Sequence, residues 1–209
     1  MRTRRAALAA VMLVVAGMAG AGYSADDRKI TPLEESYRMQ AEGDWVGAQA
    51  AMREAADAAP RSYFARLRLA YLQLLSVDYA AAADSYRAAA NLEPGAVEPL
   101  LGQQQALIAL ERWDAAERAG KDLTAKDPKS YVGLSRLAWT YRGKGDFRTA
   151  TDLYLKLLAL YPGDAEMRVG LGYALLGQGK RVEALAAFRE VLAMVPGHAD
   201  AEAGREACK

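Results

Sequence analysis

A proline recurs in this chain at Pro60, Pro94, Pro128, Pro162 and Pro196, each 34 residues after the one before. Twelve residues ahead of every proline stands an alanine: Ala48, Ala82, Ala116, Ala150 and Ala184. Three residues ahead of those alanines come Trp45, Tyr79, Trp113 and Phe147, with Arg181 breaking the series. Self-similarity at such an interval marks a stacked array, because one repeat is too small to bury its own apolar face. Each repeat reads as two helical stretches of about three to four turns, a length marginal in isolation. Ordering a repeat of 34 residues costs about 50 kcal/mol, which burial of about 2,000 Å² of apolar surface offsets. A lone helical hairpin lacks that area, and stacked neighbours supply it.

The local chemistry agrees with helix pairs. Small residues at the expected crossing points, Ala70 with Ala82 and Gly172 with Ala184, let two helix backbones approach closely. Asp44, Asp78 and Asp146 stand just ahead of the second helix, where a carboxylate satisfies the first free amide groups. The repeating proline ends that helix, since the residue before a proline is pushed out of helical geometry.

This pattern, with a small residue in each helix, an aromatic at the inter-helix turn and a proline after the second helix, resembles the tetratricopeptide repeat family. Residues 165–198 carry it most fully, with Leu171-Gly172 in the first helix, Ala184 and Phe188 in the second, and Pro196 at the end. The resemblance implies an all-α, right-handed solenoid of five helix-turn-helix repeats at 29–62, 63–96, 97–130, 131–164 and 165–198. Residues 199–209, ADAEAGREACK, suffice for a short capping helix over the last apolar face. The competing reading leaves that face open for docking. The third repeat departs most from the pattern. Gln103 and Gln104 replace apolar and small residues of the first helix, and Gly120 takes the place of a buried aromatic in the second. The expectation is a soft joint there.

Ahead of the repeats, MRTRR is followed by an uncharged run from Ala6 to Ala25. A positive start, an apolar run and small residues at Ala19-Gly20-Ala21 or Gly22-Tyr23-Ser24 predict a secretory signal peptide over residues 1–24. Retention of residues 6–25 as a membrane anchor is the alternative. The signal style, with the Ala- and Arg-rich composition, predicts an exported bacterial protein of the periplasm. The lone Cys208 forms no internal disulfide and is either a free thiol or an intermolecular bridge.

Composition narrows the function. Setting aside Arg2, Arg4 and Arg5 leaves 24 basic residues against 26 acidic, with none of the basic excess that a nucleic-acid partner requires. One histidine, His198, and one cysteine build neither a Cys-His pair nor a zinc site of the usual kind, so no metal or cofactor is expected. Gly143-Lys144-Gly145 and Gly177-Gln178-Gly179-Lys180 read as inter-helix turns, since they lack the strand-loop-helix setting of a phosphate loop. The expectation is a protein that is not an enzyme.

A surface remains. The resemblance implies that the first helix of each repeat lines a concave groove with its second, fifth, ninth, twelfth and thirteenth residues. The ninth positions hold Tyr37, Tyr71, Gln105, Trp139 and Tyr173, and the fifth hold Leu33, Leu67, Leu101, Ser135 and Val169. Phe64 and Val132 add apolar surface, and Arg142 and Glu166 add charge. The functional reading is an aromatic and apolar groove that binds a protein partner of the cell envelope, within an assembly or secretion complex. The bland reading has these aromatics merely packing between adjacent helices. Binding of an exported polysaccharide is the alternative function, since spaced aromatics stack on sugar rings. The family's clamp for chaperone C-termini, built on Lys and Asn in the groove, is missing from these positions.

Overall fold

The computed structural model describes residues 31–209, so the export signal expected over residues 1–24 lies outside the described residues. Eleven helices occupy them: α1 Pro32–Glu42, α2 Trp45–Ala58, α3 Tyr63–Leu75, α4 Tyr79–Leu92, α5 Glu98–Ala109, α6 Trp113–Lys126, α7 Tyr131–Lys144, α8 Phe147–Leu160, α9 Ala165–Gly177, α10 Arg181–Met194 and α11 Ala199–Ala207. Each packs against the next in sequence, giving an all-helical solenoid. The second helices of the five pairs begin at Trp45, Tyr79, Trp113, Phe147 and Arg181, and the backbone thereby keeps the 34-residue interval. Beyond immediate neighbours, α3 meets α5, α5 meets α7 and α7 meets α9. These contacts join the first helices of successive pairs, so the stack curves with those helices on its inner side.

Helix starts follow the sequence chemistry. Thr31 and Glu34 form a reciprocal capping box on α1. Asp44, Asp78 and Asp146 accept from the amides of Gly47, Ala81 and Thr149, as their position implies. Arg112 and Lys180 hold the same place before α6 and α10 and provide no side-chain cap.

The turn inside each pair needs one residue in the left-handed region. It falls at Gly43 (φ 84°), Val77 (φ 66°), Glu111 (φ 53°), Gly145 (φ 80°) and Gly179 (φ 77°), again 34 residues apart. Glycine takes this conformation freely, whereas a side chain there costs about 1–2 kcal/mol and β-branched valine is the least suited.

Between pairs, the core is an interlock of rings and glycines. Tyr86 on α4 and Tyr154 on α8 reach the next pair, and Phe188 on α10 reaches α11, each sixteen residues on, at Gly102, Gly170 and Gly204. A Cβ at those glycines would lie 2.2, 2.5 and 2.3 Å from the respective rings, so no larger residue fits without moving the aromatic. Where the second helix lacks an aromatic, at Met52 and Gly120, the residue sixteen positions on is Arg68 or Arg136.

In the third pair, where a soft joint is expected, the place of the missing aromatic is filled. Gln104 is fully buried and fills the space over Gly120, where a Cβ would lie 2.3 Å from its amide nitrogen. The large side chain has moved from the second helix to the first. The defect that remains is polar, because neither the amide nitrogen nor the amide oxygen of Gln104 meets a hydrogen-bonding group.

At the other end, α11 covers the last pair with Ala201 and Gly204, both buried. Tyr173 fastens it. Its ring meets Phe188 edge-on at 5.0 Å between centroids, and its hydroxyl donates to the Asp200 carbonyl at 2.9 Å.

Three outcomes follow from these contacts. Val77→Gly and Glu111→Gly each raise stability by about 0.5–1 kcal/mol in urea unfolding, the strain relieved less the entropy added to the unfolded chain. Amides of α5 and α6 exchange with deuterium faster than those of α3, α4, α7 and α8, and Gln104→Met narrows the difference by removing about 1–2 kcal/mol of unmet polar burial. Tyr173→Ala lowers stability by about 2–3 kcal/mol and speeds exchange throughout α11, through loss of the ring pair and one hydrogen bond.

Candidate functional site

The inner face is built by α1, α3, α5, α7 and α9, whose core-directed stripes leave one side of each helix uncovered. Tyr37, Tyr71 and Trp139 lie there 46, 43 and 49% exposed, one per helix at equivalent positions. Leu33, Phe64 and Val132 are exposed on the same helices, with Gln105 exposed on α5. Leu67 and Leu101 are half-buried, and Leu67 packs on the core cluster that holds Ala70 and Tyr86.

Two expected groove residues sit differently. Val169 is only 6% exposed, packed in a cluster with Ala184, Phe188 and Ala201, because α11 closes over α9. It does not line the groove. Tyr173 is half-buried and shared between the joint to α11 and the groove, where it faces Arg142.

Arginines that the sequence reading passed over complete the face. The Arg68 guanidinium lies 3.8 Å from the Tyr37 ring centroid and 5.7 Å from that of Tyr71. It donates to the Ser36 hydroxyl at 3.2 Å and to Gln40 Oε1 at 2.6 Å, and the residue is only 7% exposed. Arg136 donates to the Leu101 carbonyl at 2.7 Å and to Gln105 Oε1 at 2.9 Å. Burial lowers the pKa of both guanidiniums, and the charge-favouring influences on them come from tyrosines. The signal was present in the sixteen-residue offset, which places arginine opposite each non-aromatic position of the preceding pair.

Around Trp139 the face deepens into two hollows. One, of about 430 Å³, is walled by Trp113, Trp139, Phe147 and Tyr173, with Arg142 among them. The Arg142 guanidinium stands 4.1 Å from the Trp139 centroid and 5.6 Å from that of Tyr173. The second, of about 270 Å³, is formed by Gln105, Ile108, Ser135, Arg136, Trp139 and Met167. Trp139 is the wall between them.

Titration behaviour elsewhere is structural. The Glu117 carboxyl is held down at about 2 by hydrogen bonds from Lys121 and Lys144, opposed by burial, and Tyr141 donates to it as well. A carboxylate this acidic stays ionised near neutral pH and ties α6 to α7. Among the described residues, no group of three His, Cys, Asp or Glu side chains is placed to hold a metal ion. No helix among them is long and apolar enough to cross a membrane.

Comparison with known proteins agrees with this geometry. Residues 135–199 match the family model of the tetratricopeptide repeat. Among curated proteins, none matches the sequence. Among solved structures, the fold is similar to the MamA protein, with a TM-score of 0.73, 21% identity, and 78% of this chain and 89% of that one covered. It is similar to YrrB, a tetratricopeptide repeat protein with an unusual peptide-binding site, with a TM-score of 0.75, 14% identity and coverage of 87% and 94%. It is also similar to TTC0263, a thermophilic repeat protein of Thermus thermophilus, with a TM-score of 0.58, 21% identity and coverage of 85% and 96%. Residues 135–199 thus match the tetratricopeptide repeat, and the described chain as a whole has the fold of a tetratricopeptide repeat solenoid.

Proposed function

We propose that this protein is a non-catalytic scaffold that holds another polypeptide along its concave face, within an assembly or secretion complex of the bacterial cell envelope. The observation that carries the reading is the ladder of Tyr37, Tyr71 and Trp139, each nearly half-exposed on successive parts of one face. Tyrosine and tryptophan present large contact area with two torsions to immobilise, so little ordering entropy opposes binding. YrrB, similar in fold, has an unusual peptide-binding site, which supports a polypeptide as the occupant here. The envelope setting rests on Arg2, Arg4 and Arg5 ahead of an uncharged run to Ala25, read as an export signal to the periplasm. Retention of that run would instead anchor the scaffold in the inner membrane, and the intact mass of the exported protein separates the two.

A second reading is favoured by the ring-walled hollow at Trp113, Trp139, Phe147 and Tyr173, which suits stacking on a pyranose of an exported polysaccharide. Isothermal titration with neutral and acidic exopolysaccharides discriminates, since the scaffold reading gives no heat with either. For the leading reading, Tyr71→Ala combined with Trp139→Ala leaves the helical signal and the melting midpoint close to wild type, because both rings are half-exposed. The same variant loses partner capture in envelope extracts by at least about tenfold. Undiminished capture contradicts the reading.

A further inference from the structure

The arginines on the inner face share an unusual circumstance. Among the described residues, Arg68, Arg136 and Arg142 form no ion pair with any carboxylate, whereas Arg38, Arg87 and Arg168 each do. Exposed arginines often stand alone at no cost. A guanidinium withdrawn from water normally needs an anion, and here Arg68 and Arg136 have only neutral acceptors and ring faces. The helices that carry these arginines, α3 and α7, contain no acidic residue, and on α1 Glu35 and Glu42 pair with Arg38. Glu98 stands in the first turn of α5, and Glu166 pairs with His198 at 3.1 Å. The stretch of the inner face formed by α3 and α7 therefore carries positive charge on a chain whose described part is not basic overall.

Two of these arginines occupy the adjoining hollows on either side of Trp139. The Arg142 guanidinium lies beside the Trp139 and Tyr173 rings, with donors left over for a ligand. Resting on the reading of the groove as a polypeptide site, we propose that the face around Trp139 is a two-station site for an acidic segment. One carboxylate of the partner meets Arg142 and a second meets Arg136, while an apolar side chain between them lies on the Trp139 ring.

Charge complementarity alone would admit an acidic glycan. The aliphatic surface decides for a polypeptide. Ile108 and Met167 line the Arg136 hollow, and Val132, Phe64 and Leu33 extend the uncovered face along α7, α3 and α1. Sugar hydroxyls laid on these groups would lose water without gaining partners, whereas leucine, methionine or phenylalanine side chains gain burial there. The bidentate fork of arginine also suits the carboxylate geometry of Asp and Glu.

The test is selection of random peptides displayed on phage against the full chain and against Arg142→Met, which keeps the apolar stem while removing the charge. Wild-type selection is expected to enrich Asp or Glu beside Leu, Met or Phe. Arg142→Met loses the acidic enrichment and keeps the apolar one. A selected peptide binds Arg142→Met about tenfold more weakly, as does its Gln- and Asn-substituted form on wild type, and its affinity falls as salt rises. Arg142→Lys, which retains charge without the fork, falls between, and a melting curve shows that each variant is folded. Enrichment of neutral or basic peptides, or equal affinity of the amide-substituted peptide, overturns the acidic assignment and leaves a polypeptide groove standing. Recovery of no peptide from wild type overturns both. Displacement of the peptides by oligogalacturonate at lower concentration than by free peptide reassigns the site to acidic glycan and overturns the proposal.

Discussion

Everything in this solenoid depends on a size match between consecutive helix pairs. A ring projected from the second helix of one pair lands on a glycine in the helix that follows, at Tyr86 and Gly102, Tyr154 and Gly170, and, on the capping helix, Phe188 and Gly204. A ring that fills the gap left by an absent Cβ brings two backbones close without leaving a void. The contact sets the separation of neighbouring pairs, and hence the spacing of everything displayed on the inner face. Because each pair touches only its neighbours, the array is assembled from local interfaces of this kind, and it needs no central core.

The same match explains where the inner face is polar. Sixteen residues after Met52 and Gly120, where the other pairs have glycine, stand Arg68 and Arg136. Their guanidiniums lie beside Tyr37 and Gln105, that of Arg68 largely withdrawn from water. Packing between pairs and chemistry on the groove are therefore one design. A position that gives up its aromatic on the outer helix acquires a guanidinium on the inner one. In the third pair the exchange goes further, with Gln104 filling the volume that Gly120 leaves and remaining without polar partners.

Much of the fold was legible because its signals are local and repeated. Proline at a constant interval, alanine twelve residues before it and aspartate at Asp44, Asp78 and Asp146 each act within one or two turns of helix, and the capping bonds form where the sequence implies. Exposure on the inner face was legible where no helix outside the repeat pattern closes over it. Tyr37, Tyr71 and Trp139 are exposed on the inner helices, as the repeat register implies. Val169 was misjudged because its burial comes from α11, outside the repeat pattern. Arg68 and Arg136 were missed because their partners, Ser36 and Gln40 for the one and Leu101 and Gln105 for the other, lie on the first helix of the preceding pair.

By itself the sequence determined the helical class, the number of pairs and their phase, since these follow from periodic backbone and burial preferences that any one repeat expresses. Tertiary structure alone decided which inner residues remain open, that Trp139 divides two hollows, and that Arg136 and Arg142 stand there without a carboxylate. The physical reason is that exposure and charge pairing depend on residues far apart in the chain. Trp113 and Tyr173 meet around Arg142 only when three successive pairs are stacked, and no spacing within one repeat carries that information.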